Sequence, residues 1–277
     1  MSEPRKHHIV AQTYQRGFAR KKGRTYQVRA LNKRTGEGGL RSVRDNFAER
    51  DLNTIAEADG TRNQDVEKFL AEQIDGPAAP VLGALREDRF PLDDERRSIL
   101  SIFMSAQLVR GRWPRENIGG FIEETSRLTL KMAAAHYTDE KWIEVLGEVP
   151  SDATRQQFLN NERHFDIRPT NAMLLQTILA PVDEVAGYLS ARTWTLVRFA
   201  KPCLLTAENP VVHITPRDDS SGYGVATAER MYMAVSPTRG LVLSHPWSSW
   251  PEAIVDGTEA LAERLNPDPP IELRERV

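Results

Sequence analysis

The chain has 277 residues, a length that allows one large α+β domain or two modest ones. Apolar residues make up 40% of it and charged residues 27%, which is typical of globular proteins and excludes wholesale disorder, collagen and coiled coil. The single cysteine, Cys203, excludes an intramolecular disulfide. Because no apolar run resembles a signal peptide or is long enough to cross a bilayer, the sequence predicts a cytoplasmic protein with no membrane partner.

The net charge of -2 conceals a strongly basic N-terminal end. Residues 1–50 hold 13 Lys or Arg and 4 Asp or Glu, a balance of +9, whereas the remaining 24 basic and 35 acidic residues give -11. Such a segment is either solvated or docked on its own acidic remainder, or it binds an external polyanion, for which nucleic acid is the commonest intracellular candidate. Nucleic acid is therefore one predicted partner of residues 1–50. The sequence makes no prediction of oligomeric state.

The N-terminal region, residues 1–58, is predicted to contain a short helix and a β-hairpin. Helical periodicity over residues 8–19 places His8, Gln12 and Arg16 on the face opposite the apolar one. Residues 25–43 alternate in the manner of strands and turn at residues 33–36, which indicates a hairpin.

Residues 59–190 are predicted to be mainly helical. The expected helices are 65–86, a helical hairpin over 93–136 with Asp93 as N-cap and a break at 112–114, then 139–146, 152–162 and 170–189, the last split by Pro181.

Residues 191–256 have a β-rich pattern, in which apolar runs are separated by Pro, Gly and Asn. The expected strands cover 192–199, 203–205, 211–214, 231–235 and 241–243, followed by a helix at 257–265 and a tail at 266–277. The sequence thus predicts a single α+β domain over 1–277, with a mainly helical middle packed as one unit with the N-terminal hairpin and the C-terminal β-rich segment.

Arg110 is the most informative single residue, because its helical angle falls inside the apolar stripe of its helix. A buried guanidinium needs an anion or a set of carbonyl groups, and Gln107 flanks the same stripe. Glu67 lies at the edge of the apolar face of the 65–86 helix and is the predicted ion-pair partner of Arg110. The pair is either purely structural or also orients a substrate or a metal ligand.

His8 and the segment around Glu208 are the other candidates for chemistry. A neutral imidazole beside amide and guanidinium groups suits metal ligation, general base catalysis or phosphate contact, although a His pair near an N-terminus is commonly exposed and without function. Glu208 and Asn209 follow a strand-like run, where strand ends often present ligands; the alternative is a simple turn before Pro210. No P-loop, dinucleotide-binding, nucleophile-elbow or CxxC motif is present.

The order of these residues resembles a bacterial family, domain of unknown function 4238. Its opening pattern, HHxVPQxYLRxF, is matched at His7, His8, Val10, Gln12, Tyr14, Arg16 and Phe18, with Ala11 where proline is usual. Its later motifs are similar to Val66-Glu67-Lys68, to Gln107–Arg110 with Pro114, to the stretch from Thr206 to Val211 with Glu208 in place of Asp, and to Ala234–Pro237. The resemblance covers residues 5–245 and implies no activity, but it selects the same polar positions as the periodicity.

Together these residues predict a hydrolase or nuclease that acts on a phosphodiester or other polyanionic substrate, with or without a divalent metal such as Mg²⁺ or Mn²⁺. The predicted catalytic residues are His8, Glu67 and Glu208. The predicted substrate-binding residues are Gln12, Arg16, Gln107, Arg110 and Asn209. Two alternatives stay open: a non-enzymatic module that binds nucleic acid or another partner, and a scaffold in which the polar residues form a structural network.

Overall fold

A computed structural model describes residues 5–57, 59–160, 168–214 and 224–266. The tail expected over 266–277 lies outside these residues, except for Asn266. The N-terminal part consists of short strands and one short helix: β1 (Lys6–His8), α1 (Gln12–Gln15), β2 (Arg20–Lys22), β3 (Thr25–Leu31), β4 (Gly38–Ser42), β5 (Ala48–Arg50), β6 (Ile55–Ala56) and β7 (Arg62–Asn63).

The predicted helix over residues 8–19 is wrong at its start. His8 is the last residue of β1, which pairs antiparallel with β5, and α1 begins only at Gln12 and continues into a 3₁₀ turn over Arg16–Phe18. Ile9 and Val10, both β-branched and both buried, favour extended backbone before the helix. His8, Gln12 and Arg16 therefore do not share a helical face.

The predicted hairpin is present and gains a third strand. β3 and β4 pair antiparallel, β2 pairs antiparallel with the start of β3, and the three strands form one sheet in the order β2-β3-β4. This three-stranded sheet is called the basic sheet below, together with its two turns and the residues up to Arg44.

The helix expected over 65–86 has three parts rather than one. α2 (Asp65–Phe69) runs into a π-helical turn over Leu70–Asp75 and then into α3 (Gly76–Arg86). Pro77 explains the wider turn, because it has no N–H and its ring would clash with the carbonyl four residues earlier in a regular α-helix. The N–H of Gly76 accordingly reaches back five residues, to the carbonyl of Ala71.

The later helices follow the sequence pattern closely. They are α4 (Asp94–Val109), α5 (Arg112–Ala134), α6 (Asp139–Leu146), α7 (Asp152–Asn160), α8 (Asn171–Leu179) and α9 (Val182–Ser190). Asp93 caps α4 by accepting a hydrogen bond from the N–H of Arg96 at 2.8 Å, and Pro181 separates α8 from α9. Among the described residues, no helix combines the length and the apolar composition needed to cross a membrane.

The C-terminal part is a mixed five-stranded sheet in the order β12-β8-β11-β10-β9. Its strands are β8 (Thr193–Arg198), β9 (Val211–Ile214), β10 (Arg230–Ser236), β11 (Arg239–Ser244) and β12 (Ile254–Asp256), and α10 (Glu259–Leu265) follows. Residues 203–205, expected as a strand, are irregular, because the N–H groups of Cys203 and Leu204 both donate to the carbonyl of Pro237 rather than to a ladder. The predicted α+β class is confirmed.

One face of the five-stranded sheet packs on the helices and the other on α10. Met231, Met233 and Leu241 belong to a buried cluster that also contains Ile9 and Val10 from the N-terminal part, and helical residues such as Leu85, Phe103 and Leu189. The alternate positions of the same strands, such as Tyr232 and Val242, pack with Leu265 of α10. The main core therefore includes side chains from the N-terminal, middle and C-terminal parts.

Gly17 provides a test of how the N-terminal part is held to this core. A Cβ atom there would lie 2.6 Å from the carbonyl oxygen of Val235 and 2.5 Å from Nη2 of Arg86, which donates to the carbonyls of Thr13 and Tyr14. Gly17→Ala should lower the free energy of unfolding by about 1–3 kcal/mol.

The matched control for this prediction is Gly120→Ala in α5, where a Cβ would meet no atom within 4 Å. It should raise the free energy of unfolding by about 0.5–1 kcal/mol, since Ala is the better helix former. Urea unfolding of both variants measures the difference, and equal effects would contradict this packing of Gly17.

Candidate functional site

Arg110 is buried as the sequence predicts, but its partner is Asp75 and not Glu67. Its Nη1 and Nη2 donate to the two carboxylate oxygens of Asp75, at 3.3 and 2.9 Å. In the amide orientation that satisfies both groups, Gln107 accepts from Nε of Arg110 at 2.7 Å and also from Nη2. All three nitrogens of the guanidinium thus have partners, and 2% of Arg110 is exposed.

The π-helical turn explains why the predicted Glu67–Arg110 pair is wrong. In a regular α-helix Asp75 would lie above Ala71, which is exposed, whereas hydrogen bonding over five residues places it above Leu70, which is buried. The turn therefore moves the Asp75 carboxylate toward the core and the C-terminal end of α4. Burial raises the pKa of Asp75 above its usual value, against the opposing effect of Arg110.

Asn53, which the sequence pattern did not single out, connects three elements at the centre of the candidate site. Its backbone N–H donates to Nδ1 of His7 in β1 at 2.8 Å, and its Nδ2 donates to Oε2 of Glu67 in α2 at 2.6 Å. Its Oδ1 accepts from Nη2 of Arg115 in α5 at 2.5 Å. Asn53 is 1% exposed, so each of these bonds replaces a bond to water that the buried group cannot make.

His7 is fully buried, and its hydrogen bond fixes its tautomer. Because Nδ1 accepts from Asn53, the proton of the neutral ring is on Nε2, a buried atom with no partner among the described residues. The 3.9 Å between Nδ1 and Oε2 of Glu67 therefore joins two acceptors and is not an ion pair. His7 acts here as a packed structural histidine.

His8, the predicted catalytic histidine, is only half-buried. Its Nε2 lies 3.1 Å from the carbonyl oxygen of Arg44 and donates to it, which leaves the lone pair on Nδ1. Burial lowers the pKa of His8 below its usual value, and the nearby charge of Glu67 only partly opposes this effect. The ring is consequently neutral near pH 7, as a general base must be.

Glu208 and Asn209 lie close to the same site, at the end of a loop that precedes β9 rather than after a strand. Arg112 connects Glu208 to β5, because its Nε lies 3.1 Å from Oε1 of Glu49 and 3.8 Å from Oε1 of Glu208. A Cβ on Gly111 would lie 2.7 Å from Oδ1 of Asn209, so Asn209 packs directly against the residue that follows Arg110.

The remaining predicted residues, Gln12 and Arg16, stay apart from this network. Arg16 is exposed and its guanidinium lies 5.2 Å from the ring centre of Tyr26 in the basic sheet, a cation–π contact. Gln12 is partly exposed, and its side chain makes no hydrogen bond within the described residues. The buried amide of this segment is Gln15, which donates to the carbonyl of Val10 at 2.7 Å and accepts from Asn46 at 3.0 Å.

The metal hypothesis gains no support from this geometry. In the part of the chain that is described, no group of three or more His, Cys, Asp or Glu side chains is placed to hold a metal ion. The network instead combines buried polar groups with partly exposed carboxylates. The buried residues are His7, Asn53, Gln107, Arg110 and Arg115, and the partly exposed carboxylates are those of Glu49, Glu67, Asp75 and Glu208.

A double-mutant cycle tests the Arg110–Asp75 pair. Arg110→Met alone leaves the largely buried carboxylate of Asp75 without its partner and should cost about 3–5 kcal/mol of folding free energy, whereas Arg110→Met with Asp75→Leu should cost less than the sum of the single changes. The coupling free energy from urea unfolding should exceed about 1 kcal/mol. The control cycle combines Arg110→Met with Glu67→Gln and should give the smaller coupling free energy. A larger coupling to Glu67 than to Asp75 would show that Glu67 is the partner of Arg110.

No curated protein and no solved structure gives a significant match to the chain. The family model described as a protein of unknown function, DUF4238, matches residues 6–267. That match covers nearly all of the 277 residues, and the chain belongs to this family.

Proposed function

We propose that the protein binds nucleic acid through the basic sheet. The observation that carries this proposal is a group of nine exposed basic side chains, none of which lies within ion-pair distance of a carboxylate in the described part of the chain. They are Arg20, Lys21, Lys22, Arg24, Arg29, Lys33, Arg34, Arg41 and Arg44. Glu37 is the one acidic residue between positions 20 and 44.

Neighbouring basic residues differ from this group in having partners. Arg5 donates to Asp51 at 2.7 Å, Arg62 also pairs with Asp51, and Lys6 pairs with Asp45. The described residues therefore include carboxylates that neutralise the cations on neighbouring strands, yet none of these carboxylates lies within ion-pair distance of a cation of the basic sheet. Like charges gathered on one small sheet repel one another, and a polyphosphate removes that repulsion while releasing its own counterions.

A second function, hydrolysis of a phosphodiester, is supported by the position of His8. Its Nε2 donates to the carbonyl of Arg44, the last of the nine basic residues, so the imidazole lies at the edge of the basic sheet. Burial keeps the ring neutral, and Nδ1 is the atom that can accept a proton. A phosphodiester held on the basic sheet would then lie near a general base.

In this second function His8, Glu67 and Arg110 have separate tasks. A water oxygen attacks phosphorus, its proton passes to Nδ1 of His8, and the ester P–O bond breaks as the leaving oxygen takes a proton from solvent. Glu67 lies close enough to affect the charge of His8 and would stabilise the protonated ring. Arg110 is fully paired with Asp75 and Gln107, so its role is positioning α4 against the π-helical turn rather than clamping an anion.

The binding proposal predicts a steep dependence on salt. Log Kobs for a mixed-sequence DNA should fall linearly with log salt concentration, because each phosphate that the protein neutralises releases counterions. Replacing Arg20, Lys21, Lys22 and Arg24 with Glu should flatten the slope, by about 0.9 for each phosphate that the variant no longer neutralises.

Fluorescence anisotropy across a salt series measures both slopes. The control variant carries the same charge change at four exposed basic residues outside the basic sheet, Arg89, Arg96, Lys201 and Arg264. It should keep the wild-type slope. If both variants lose affinity equally, overall charge and not the basic sheet governs binding.

The hydrolysis proposal predicts that His8→Ala keeps nucleic-acid binding within about twofold of wild type but abolishes cleavage, since a neutral imidazole contributes little to phosphate attraction. Activity needs the unprotonated ring, so it should be lost as pH falls through the pKa of His8, which burial holds below the usual value of a histidine. Cleavage of labelled DNA and RNA at a series of pH values, with EDTA present, measures this loss of activity at low pH. Full activity of His8→Ala would eliminate His8 as the base.

A further inference from the structure

The outer half of the basic sheet is a two-stranded ribbon that projects from the protein. β2 pairs only with residues 25–27 of β3, so from Val28 onward β3 has β4 as its single neighbour. Between residues 29 and 41 every residue is exposed except Ala30, which is partly exposed. Successive side chains of a strand point to opposite faces, so exposure of consecutive residues means that solvent reaches both faces of the ribbon.

One face of the ribbon carries a mixed cationic and apolar surface. Arg29 lies directly opposite Leu40, and Leu31 shares their face two residues along the strand. Leu31 is 48% exposed and Leu40 is 65% exposed. At a solvated hairpin tip these apolar side chains contribute nothing to the core, so packing does not explain their presence. We call this surface, formed by Arg29, Leu31 and Leu40, the outer face.

The tip of the ribbon is ordered and basic. Oδ1 of Asn32 accepts from the N–H groups of Arg34 and Thr35, and the backbone N–H of Asn32 donates to the carbonyl of Glu37 at 2.9 Å. Gly36 has a φ of +70°, which glycine adopts without strain. The turn therefore holds Lys33 at a fixed place beyond the ends of both strands.

At the base of the ribbon, further cations flank the outer face. Arg20 pairs with Gln27 and Lys22 with Thr25, so both side chains are on the same side of the sheet as Arg29. These cations are displaced from the ribbon by one strand spacing, about 4.8 Å, and lie next to β3 rather than on the ribbon itself.

These features of the ribbon suit the groove of a nucleic-acid duplex and not a single-stranded nucleic acid. Proteins that bind single strands stack bases on aromatic side chains, but the one aromatic residue between positions 20 and 44, Tyr26, lies on the other face beneath Arg16. The major groove of B-form DNA is about 12 Å wide and admits a two-stranded ribbon. The major groove of A-form RNA is too deep and narrow for side chains to read.

We infer that the β3–β4 ribbon enters the major groove of double-stranded B-form DNA with its outer face toward the base edges. This inference rests on the proposed binding of nucleic acid by the basic sheet. Arg29 reaches the acceptor atoms of guanine, and Leu31 and Leu40 contact thymine methyl groups. Arg20, Lys22 and Lys33 contact the phosphates on the two sides of the groove.

The test compares four probes of one mixed sequence, each binding the full chain at the same salt concentration. They are duplex DNA, single-stranded DNA, duplex RNA, and duplex DNA whose pyrimidines carry bulky C5 substituents that fill the major groove. Duplex DNA should bind at least tenfold more tightly than each of the other three. A second measurement uses Arg29→Ser with Leu40→Ser, which should reduce this preference to less than threefold.

The matched control is Lys201→Ser with Leu205→Ser, which removes one exposed cation and one apolar side chain that is 59% exposed, both outside the basic sheet. It should keep the preference for unmodified duplex DNA. Equal, salt-dependent affinity for all four probes would overturn the groove inference and leave the proposed binding intact, as would tighter binding of single strands or duplex RNA. No binding of any probe would overturn both proposals.

Discussion

The buried hydrogen bonds of Asn53 are the interaction on which the arrangement of the site depends. Asn53 forms hydrogen bonds with His7 in β1, Glu67 in α2 and Arg115 in α5. Among the described residues, no hydrogen bond joins any two of these three elements directly. Removing one partner from such a buried network leaves the others unsatisfied, at a cost of about 1–3 kcal/mol for each group and more for charged ones. The network therefore fixes the place of the N-terminal strands more sharply than apolar packing alone would.

That fixed position has a consequence for function. β1 ends at His8, β5 carries Glu49, and the basic sheet lies between them in the chain, so anchoring β1 and β5 also anchors the base of the basic sheet. Arg112 extends the connection through Glu49 to Glu208 in the loop before β9. A charged sheet that projects into solvent can bind a large polyanion with defined geometry only if its base is rigid, and the Asn53 network supplies this rigidity.

The sequence predicted the α+β class and most helices, because Asp93, Pro181 and the apolar periodicity act locally. It also predicted that Arg110 is buried, because a cation inside an apolar stripe is visible from spacing alone. Its partner was predicted wrongly, since the π-helical turn shifts the register after Leu70 and makes Asp75, not Glu67, face α4. The prediction that His8 lies in a helix was also wrong, because pairing of β1 with the distant strand β5 outweighs a weak helical pattern.

Other parts of the site could not be predicted from the sequence. Asn53 resembles any loop asparagine, and its three partners are 46, 14 and 62 residues away in the chain. The excess of positive charge in residues 1–50 was clear from composition, but composition does not show which cations have partners. Only the structure separates the paired Arg5 and Lys6 from the cations of the basic sheet, which have no carboxylate within ion-pair distance among the described residues.

Hydrogen exchange of Asn53→Ala measures the central claim most directly. Asn53→Ala keeps the backbone N–H that donates to His7 but removes the side-chain bonds to Glu67 and Arg115, which hold residue 53 against α2 and α5. If these two bonds anchor the N-terminal strands, the amides of β1 and β5 should exchange at least tenfold faster in this variant, while those of β10 and β11 in the main core keep their wild-type rates. Asn266→Ala is the matched control, because it removes hydrogen bonds only to Cys203 and Leu205 and should leave β1 and β5 protected. Unchanged protection of β1 and β5 in Asn53→Ala would contradict the anchoring role of the network.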